Sequence, residues 1–511
     1  MSTVLLRNVR LGVGREPADV LLRGGRVAAI ATDLGRGAPG LSVEDMAGVE
    51  VLETDGSVLL PGLVDAHVHL SQWAAVRRRI DVRSASSSAE VVSLLGDNAP
   101  AGDDLVLGHG FRDALWTLPA HRDLLDARFP ARPVVVVSAD LHAVWLNSAA
   151  AREFGVGGLG VGGLGVGELG VGELGVGDFS GVLRERAAME LTARAGDVGD
   201  ATLDAWILEA TRAAAARGVT SIVDLEYAPI SAWARRERPA VRVAAGVWPD
   251  WIEAAITDGL VSGVPVPGAD ERVRVGPLKL LVDGSLGTRT AFCQEAYPSG
   301  GNGILRILHT ELEPALRRAT AHGFDVAVHA IGDAAVRVAL DGFAAVGCTG
   351  TLEHAQQVAD EDLPRFAELG VVASIQPRHA VDDRDAVDLH WAGGADRAFP
   401  YAALHAAGVQ LRLGSDAPVA ALDPWDAIAS AVHRSADARP PWHPEQQLPL
   451  DVALTASSGG RGVVRVADVA DLVLVAEHPA EVLARGGPAA LRATEVLATL
   501  VGGEFTHRGA F

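Results

Sequence analysis

Short apolar runs alternate with alanine-rich stretches through the middle of the chain. The apolar runs resemble buried strands, and segments such as Glu311–His322, Asp333–Ala345 and Asp360–Leu369 resemble helices between them. Strand–helix units in such a succession predict an α/β fold, a (β/α)8 barrel of the TIM type. The eight predicted barrel strands are Leu59–Ala66, Val219–Asp224, Val241–Val247, Val275–Val282, Val326–His329, Thr351–His354, Val371–Ile375 and Leu411–Ser415.

The two ends of the chain show short apolar runs separated by turn residues, without the alanine-rich stretches. Val4–Leu6 and Val20–Leu22 are examples near the start, and Leu472–Val475 and Val496–Val501 near the end. We predict that both termini pair into one β-sandwich domain, formed by residues 1–58 and 455–511. The barrel then takes residues 59–70 and 200–454.

The connection after the first barrel strand, about 150 residues in length, is too long for a loop of a compact domain. It contains its own strand candidates, Leu105–Gly108 and Val134–Ser138, and a helix near Asn147–Glu153. We therefore predict that residues 71–199 form a large inserted subdomain over the barrel mouth.

A five-residue repeat, Gly-Val-Gly-x-Leu/Phe, runs from Gly155 to Phe179 within this insertion. Its first six residues match the GxGxxG pattern of dinucleotide sites, but the match follows a helix-like stretch instead of a strand, and the repetition itself generates it. The interpretation that we favour is an expanded, flexible surface loop; a stacked ribbon of β-turns is the alternative.

Composition narrows the classes of function. The net charge of −21 argues against a nucleic-acid partner, which requires a basic face. The start of the chain lacks the apolar core of a signal peptide, and no apolar stretch is long enough to span a membrane. The two cysteines, Cys293 and Cys348, suggest no disulfide framework. We expect a cytoplasmic protein with a small-molecule substrate, and a homodimer remains open.

Lys279 is the only lysine among 44 basic residues, and it lies in an apolar run that is predicted to be a strand. Arginine replaces lysine in most ion pairs, but it cannot replace an amine that reacts. An unprotonated ε-amine can add CO2 to become a carbamate, an anionic group that is long enough to bridge two metal ions. Burial would favour this addition by lowering the pKa of the amine.

Metal-ligating side chains recur at the ends of the predicted barrel strands. His67 and His69 are two apart and therefore point to the same side of a strand. His329, His354 and Asp416 follow at or after the ends of the fifth, sixth and eighth strands. Each has an ordinary explanation alone, such as a satisfied polar side chain or a turn. Active sites of TIM barrels gather at the carboxyl ends of the strands, so the set predicts a metal site.

These motifs resemble the metal-dependent amidohydrolase superfamily, and within it amidohydrolase family 3, which includes N-substituted formamide deformylases. The similarity covers nearly the whole chain. The motifs that carry it, besides His67 and His69, are Leu278-Lys-Leu-Leu-Val-Asp-Gly-Ser-Leu-Gly-Thr-Arg-Thr-Ala291, Val328-His-Ala-Ile-Gly-Asp333, Leu352-Glu-His-Ala355, Gly414-Ser-Asp-Ala-Pro418 and Leu141-His-Ala-Val-Trp-Leu-Asn-Ser148. The chain departs from relatives in reading Asp140-Leu-His142 where they tend to read Asp-Gly-His.

The resemblance implies a site for two divalent metal ions, with zinc expected, bridged by a hydroxide. The first ion would take His67, His69, Asp416 and a carbamate on Lys279. The second would take the same carbamate, His329 and His354. Asp416 would accept the proton from the attacking hydroxide and pass it to the leaving amine.

For the substrate we consider four further residues at the mouth: His142, Asp283, Arg289 and Arg378. Each could instead fix a loop through an ion pair or a hydrogen bond. The predicted reaction is hydrolysis of an amide, N-acyl or formamide-like C–N bond. Hydrolysis of an ester or lactone by the same metals is the alternative. Two further alternatives stay open. One is an enzyme with a single metal ion and an unmodified Lys279. The other is an inactive scaffold, although all six ligand positions hold ligand-type residues.

Overall fold

The computed structural model describes residues 3–32, 34, 49–113, 116–156, 180–391 and 393–509. The predicted repeat loop lies outside these residues, apart from its first two. The strands are β1 (Val4–Val9), β2 (Ala18–Arg23), β3 (Arg26–Ala31), β4 (Glu50–Glu53), β5 (Val58–Pro61), β6 (Leu63–Val68), β7 (Ile80–Asp81), β8 (Val106–Phe111), β9 (Val134–Ser138), β10 (Ala143–Leu146), β11 (Val182–Arg184), β12 (Val219–Asp224), β13 (Arg242–Val247), β14 (Val273–Leu281), β15 (Val326–Ala330), β16 (Thr351–His354), β17 (Val372–Ile375), β18 (Leu411–Leu413), β19 (Leu472–Val475), β20 (Val496–Val501) and β21 (Glu504–Arg508). The α-helices are α1 (Leu70–Val76), α2 (Ser88–Asn98), α3 (Arg122–Arg128), α4 (Ser148–Glu153), α5 (Glu185–Ala195), α6 (Asp200–Ala215), α7 (Pro249–Thr257), α8 (His309–Ala321), α9 (Asp333–Val346), α10 (Leu363–Leu369), α11 (Pro377–Asp382), α12 (Arg384–His390), α13 (Tyr401–Ala406), α14 (Pro424–His433), α15 (Leu450–Ser457) and α16 (Pro479–Arg492).

The predicted (β/α)8 barrel is confirmed. Eight parallel strands follow the order β18-β17-β16-β15-β14-β13-β12-β6. A parallel bridge between Val68 and Ala417 joins the two ends of this sheet. Helices cover its outer side, and the apolar residues of strands and helices form one continuous core.

The first predicted barrel strand is wrong, because Leu59–Ala66 divides into two strands of different sheets. β5 pairs with β19 in the antiparallel sandwich, whereas β6 begins the barrel. Gly62 stands at the crossing, and its N–H donates to Asp471 O at 2.9 Å. A β-carbon at Gly62 would lie 2.3 Å from Thr220 Cγ2, so only glycine permits this approach to β12.

Both termini contribute to the β-sandwich, as the pattern of the ends predicts. One four-stranded sheet has the order β3-β2-β1-β4, and the other has the order β21-β20-β19-β5. Apolar side chains of the two sheets, such as Leu6, Leu22, Leu472 and Leu500, share one core. The boundaries of the domains in the chain stay a prediction.

The insertion after the first barrel strand has a sheet of its own, with the order β11-β10-β9-β8-β7. Its predicted strand Val134–Ser138 coincides with β9, and the other candidate begins one residue later and extends to Phe111. The predicted helix near Asn147 is α4, where the Asn147 side chain accepts a hydrogen bond from Ala150 N at 2.9 Å. Within the described residues, no helix is long and apolar enough to cross a membrane.

Candidate metal centre

Five barrel strands bring the six predicted metal ligands to one end of the barrel. His67 lies in β6, and His69 is the residue that caps α1 immediately after that strand. Lys279, His329 and His354 lie near the carboxyl ends of β14, β15 and β16. Asp416 follows β18. The six side chains therefore share the mouth at which TIM-barrel active sites form.

Backbone hydrogen bonds across the barrel seam bring Asp416 to the two histidines of the first strand. Asp416 N donates to His67 O, and His69 N donates to Ala417 O, both at 2.8 Å. The Asp416 Oδ1 atom consequently lies 3.4 Å from His67 Nε2 and 3.2 Å from His69 Nε2.

The remaining predicted ligands surround the same point. The Lys279 Nζ atom lies 3.4 Å from His67 Nε2. The ring centroid of His354 is 4.8 Å from that of His67 and 4.5 Å from that of His329. One potential ligand atom from each of His67, His354 and Asp416 lies within 4.8 Å of the others.

Two of these residues adopt a backbone conformation that residues other than glycine rarely take. The φ angle is 75° at His354 and 57° at Asp416. Conformations of this kind cost about 1–3 kcal/mol each and cluster at functional sites. In this chain they turn an imidazole and a carboxylate into the barrel mouth at the points where their strands end.

Burial and close charges alter the acidity of the cluster. Burial lowers the pKa of Lys279 to about 8, which makes the unprotonated amine accessible near neutral pH. Burial, with the charge of Lys279, lowers the pKa of His67 well below its usual value. Burial opposes ionisation of Asp416, but the imidazoles of His67 and His379 hold its pKa well below its ordinary range. Neutral imidazole and carboxylate are the protonation states that bind metals.

A carboxylate that the sequence reasoning missed orients the first histidine. Glu353 Oε2 lies 2.7 Å from His67 Nδ1, and both side chains are buried. This contact leaves His67 Nε2 directed toward Asp416 and Lys279. Carboxylates commonly orient metal-bound histidines in this way. The available signal was a glutamate within the short apolar strand β16.

The donor set fits divalent metal ions. His69 Nδ1 and His354 Nδ1 are buried and have no hydrogen-bond partner among the described residues. Unsatisfied buried polar atoms of this kind are uncommon unless an ion, a ligand or water satisfies them. Imidazole nitrogens and a carboxylate are ligands that zinc accepts.

The cluster opens into a cavity of about 1110 Å³ between the barrel mouth and the insertion. The wall from the insertion includes Ser138, Asp140 and His142. The walls from the barrel include Glu226 and Trp248. This space is large enough for a small-molecule substrate.

The four predicted substrate contacts do not share one position. His142 and Asp283 line the cavity, whereas Arg289 and Arg378 are absent from its lining. Arg289 is exposed on its loop. Arg378 pairs with Asp382 and Asp426 at 2.9 and 3.2 Å, which ties α11 to α14. The contact of these two arginines with a substrate stays a prediction.

Asp283 has a structural role at the edge of the cavity. Its carboxylate accepts hydrogen bonds from the backbone N–H groups of Phe292, Ile331 and Gly332, at 2.9 to 3.0 Å. It also lies 3.3 Å from His329 Nε2. Asp283 thus fixes the loop after β15 and the imidazole beside it, while its contact with a substrate stays a prediction.

Two residues of the mouth were missed by sequence reasoning because nothing in their local pattern marks them. His379 lies near the start of α11, and its Nε2 atom is 3.2 Å from Asp416 Oδ2. Arg79 lines the cavity beyond the end of α1. Only the packing of distant segments places His379 beside the cluster and Arg79 in the cavity wall.

The chain is similar to known proteins in sequence and in fold. A family model described as "Amidohydrolase family" matches residues 50–507. Protein LONG AFTER FAR-RED 3 of Arabidopsis thaliana is 28% identical, over 89% of this chain and 83% of its own. N-substituted formamide deformylase of Arthrobacter pascens is 27% identical, over 95% of this chain and 94% of its own. The crystal structure of an uncharacterized metal-dependent hydrolase from Pyrococcus furiosus superposes with a TM-score of 0.71 at 24% identity, covering 93% of this chain and 99% of the other.

Proposed function

Because this chain belongs to the amidohydrolase family, we propose that it hydrolyses an amide, N-acyl or formamide-like C–N bond at the barrel mouth. Membership of the family supports metal-dependent hydrolysis of C–N bonds in general. The observation that carries the narrower proposal is the convergence of six ligand-type side chains from five strands on one cavity. The relative named N-substituted formamide deformylase makes a formamide the first substrate to test.

The six residues would hold two divalent ions, with zinc the expected metal. His67, His69 and Asp416 would bind one ion, and His329 and His354 the other. Lys279 would join the two as a carbamate, formed when its unprotonated Nζ adds to the carbon of CO2 and releases a proton. When bound, such ions supply a water of lowered pKa as nucleophile and polarise the carbonyl group of the substrate.

Asp416 is the residue that would move the proton. Its low pKa keeps the carboxylate ionised and ready to accept. His379 Nε2 lies 3.2 Å from Asp416 Oδ2 and would hold the carboxylate in place. After accepting the proton, Asp416 would deliver it to the nitrogen of the leaving amine.

A panel of matched substrates tests this proposal. Metal-reconstituted protein is given N-formyl, N-acetyl and lactone compounds with alkyl groups of equal size, and kcat/KM is measured for each. We expect the C–N compounds to be preferred, and Asp416→Asn to lower their kcat/KM by about 100-fold or more. Asp437→Asn, which changes an exposed aspartate, is the matched control. Turnover of lactones without turnover of any C–N compound would favour the ester or lactone alternative and contradict the proposal.

A further inference from the structure

One wall of the cavity leads from the metal cluster to an arginine. Ser71, Gln72, Ala75 and Arg79 recur at helical spacing along and just beyond α1, and all four line the cavity. The wall begins at His69, which caps α1. Arg79 comes ten residues later, three residues beyond the end of α1 at Val76, and α1 alone is about 10 Å long. The cavity therefore extends well beyond the size of a formyl or acetyl group.

Arg79 differs from Arg112, Arg184 and Arg194 of the same cavity because its guanidinium has no partner among the described residues. Arg194 forms no ion pair with a described residue but donates to Phe154 O at 2.9 Å. Arg112 pairs with Asp382 at 2.9 Å, and Arg184 pairs with Asp113 at 2.6 Å. Among the residues that the structure describes, Arg79 has no acidic partner within ion-pair distance and forms no hydrogen bond through its guanidinium. Burial alone lowers the pKa of this guanidinium to about 10, so it stays charged at neutral pH.

Helix α5 of the insertion places a second unsatisfied group in the same part of the cavity. Met189, Thr192, Ala193 and Gly196 recur at helical spacing and line the cavity. The Oγ1 atom of Thr192 is buried and has no hydrogen-bond partner within the described part of the chain. A β-carbon at Gly196 would lie 3.2 Å from Arg79 Nη2, so the glycine leaves room for the guanidinium beside α5.

We propose that Arg79 and Thr192 form a carboxylate-binding subsite, and that the substrate carries a carboxylate remote from the bond that is hydrolysed. A guanidinium can hold both oxygens of a carboxylate, and a hydroxyl can donate a further hydrogen bond. The position of the hydrolysed bond, at the metal cluster, rests on the proposed function.

The intervening lining indicates what connects the two ends of this substrate. Leu141, Leu203, Leu286 and Val419 are among the apolar residues that line the cavity. Such side chains suit an alkyl or aryl spacer of about 10 Å or more, given the length of α1 and the three residues that follow it. The substrate class is an N-acyl or N-formyl amine with a terminal carboxylate on a long apolar chain.

A purely structural role for Arg79 makes a different prediction. The β-carbon position of Gly196 is also 3.1 Å from Thr192 O, so the guanidinium lies near the last carbonyl groups of α5. Cations stabilise helix carboxyl ends through the helix dipole. If this were the whole role, loss of Arg79 would lower the melting temperature without altering the choice of ligand.

Binding of a ligand that cannot be hydrolysed separates these possibilities. The probe is 11-oxododecanoate, whose ketone stands for the carbonyl group and whose carboxylate lies ten carbons away, compared with its neutral methyl ester. Affinities are measured by calorimetry on the metal-loaded full chain. We expect the wild type to prefer the carboxylate by about 10-fold or more, and Arg79→Gln to lose most of this preference. Thr192→Val should reduce it by about 3-fold.

Controls separate a subsite from a general effect of charge. Arg77→Gln removes an exposed arginine two residues earlier, outside the cavity lining, and should keep the preference. The shorter 5-oxohexanoate should show no dependence on Arg79, because it cannot span the wall. Equal affinity of the wild type for acid and ester, or an unchanged preference in Arg79→Gln, would overturn the subsite.

The binding assay also distinguishes failure of the subsite from failure of the proposed function. A carboxylate preference that depends on Arg79, in a protein that hydrolyses no C–N compound, would leave the subsite and reject the function. Hydrolysis of C–N compounds without that preference would support the function and reject the subsite.

Discussion

The β-sandwich and the barrel mouth differ in the kind of side chain that they bury. The shared core of the sandwich consists of valine, leucine and alanine, with residues such as Leu472 and Leu500 fully buried. The barrel mouth instead buries Lys279, Glu353 and His354. Burying a charged group costs free energy unless it is paired or binds a ligand. The apolar core of the sandwich therefore stabilises the fold, whereas the buried ionisable groups of the mouth cost stability.

The largest effect on catalysis should follow from replacing Lys279, the only lysine of the chain. Lys279→Arg keeps a cation of similar length but removes an amine that can add CO2. We expect kcat/KM for the best C–N substrate to fall by about 1000-fold, because bound metals contribute several kcal/mol to the reaction. The melting temperature should change little, which separates this site from the sandwich.

Arg274→Lys is the matched control for that variant. It makes the opposite exchange at an exposed position of the same strand, where the side chain bonds Gly263 O. Near-normal turnover by Lys279→Arg, with full metal content, would contradict the role of the lysine.

A side-chain truncation in the sandwich should lower stability and leave the metal site unchanged. Leu472→Ala removes a fully buried side chain from β19 and should lower the free energy of unfolding by about 2–5 kcal/mol. The protein that remains folded should keep its metal content and its KM. Urea unfolding and metal analysis of the folded fraction check this. A loss of metal from folded protein would show that the two regions are coupled.

The pH dependence of stability should also reside at the mouth. Burial raises the pKa of Asp224, at the end of β12, from 3.8 to about 6. The folded state therefore favours the protonated acid, a contribution that is complete below pH 3.8 and lost as pH rises through 6. The difference amounts to about 3 kcal/mol. Asp224→Asn should flatten this part of the profile, measured by urea unfolding between pH 4 and 7.

The control for this profile is Asp103→Asn, which changes an exposed aspartate of the insertion. Its curve should follow that of the wild type. An Asp224→Asn protein with the wild-type slope would place the pH dependence elsewhere.

The smallest of these effects should come from the carboxylate behind the cluster. Glu353→Gln keeps the shape of the side chain but weakens its hold on His67 Nδ1. Changes of this kind typically cost about 10–100-fold in metal affinity, which titration against a chelator would measure. Glu368→Gln, exposed on α10, is the control. Unchanged affinity in Glu353→Gln would mean that other contacts orient His67.

The alternation of apolar runs predicted the barrel because each buried parallel strand is a continuous apolar segment. It failed at Leu59–Ala66, where one apolar run serves two sheets. A change of sheet at Gly62 depends on the close approach of Thr220, from a strand about 150 residues away. Local patterns hold no information on such a contact.

The predicted ligands were accessible to sequence reasoning because strand ends in a barrel converge on one face. Arg289 and Arg378 follow barrel strands but lie outside the cavity lining. A loop or helix after a strand can direct a side chain away from the cavity, as for Arg378, which forms an ion pair with Asp426 of α14. Arg79 was missed for the converse reason, because the fold of the insertion over α1 brings it to the cavity.

The number of divalent ions bound by each chain tests the central claim most directly. Wild-type protein and Lys279→Arg are reconstituted with zinc and bicarbonate and then freed of loosely bound metal. The zinc content of each is measured by elemental mass spectrometry. We predict about two ions for the wild type and at most one for the variant, as a lysine that bridges two ions requires. Equal metal content in the two proteins, or no zinc retained by the wild type, would contradict the account.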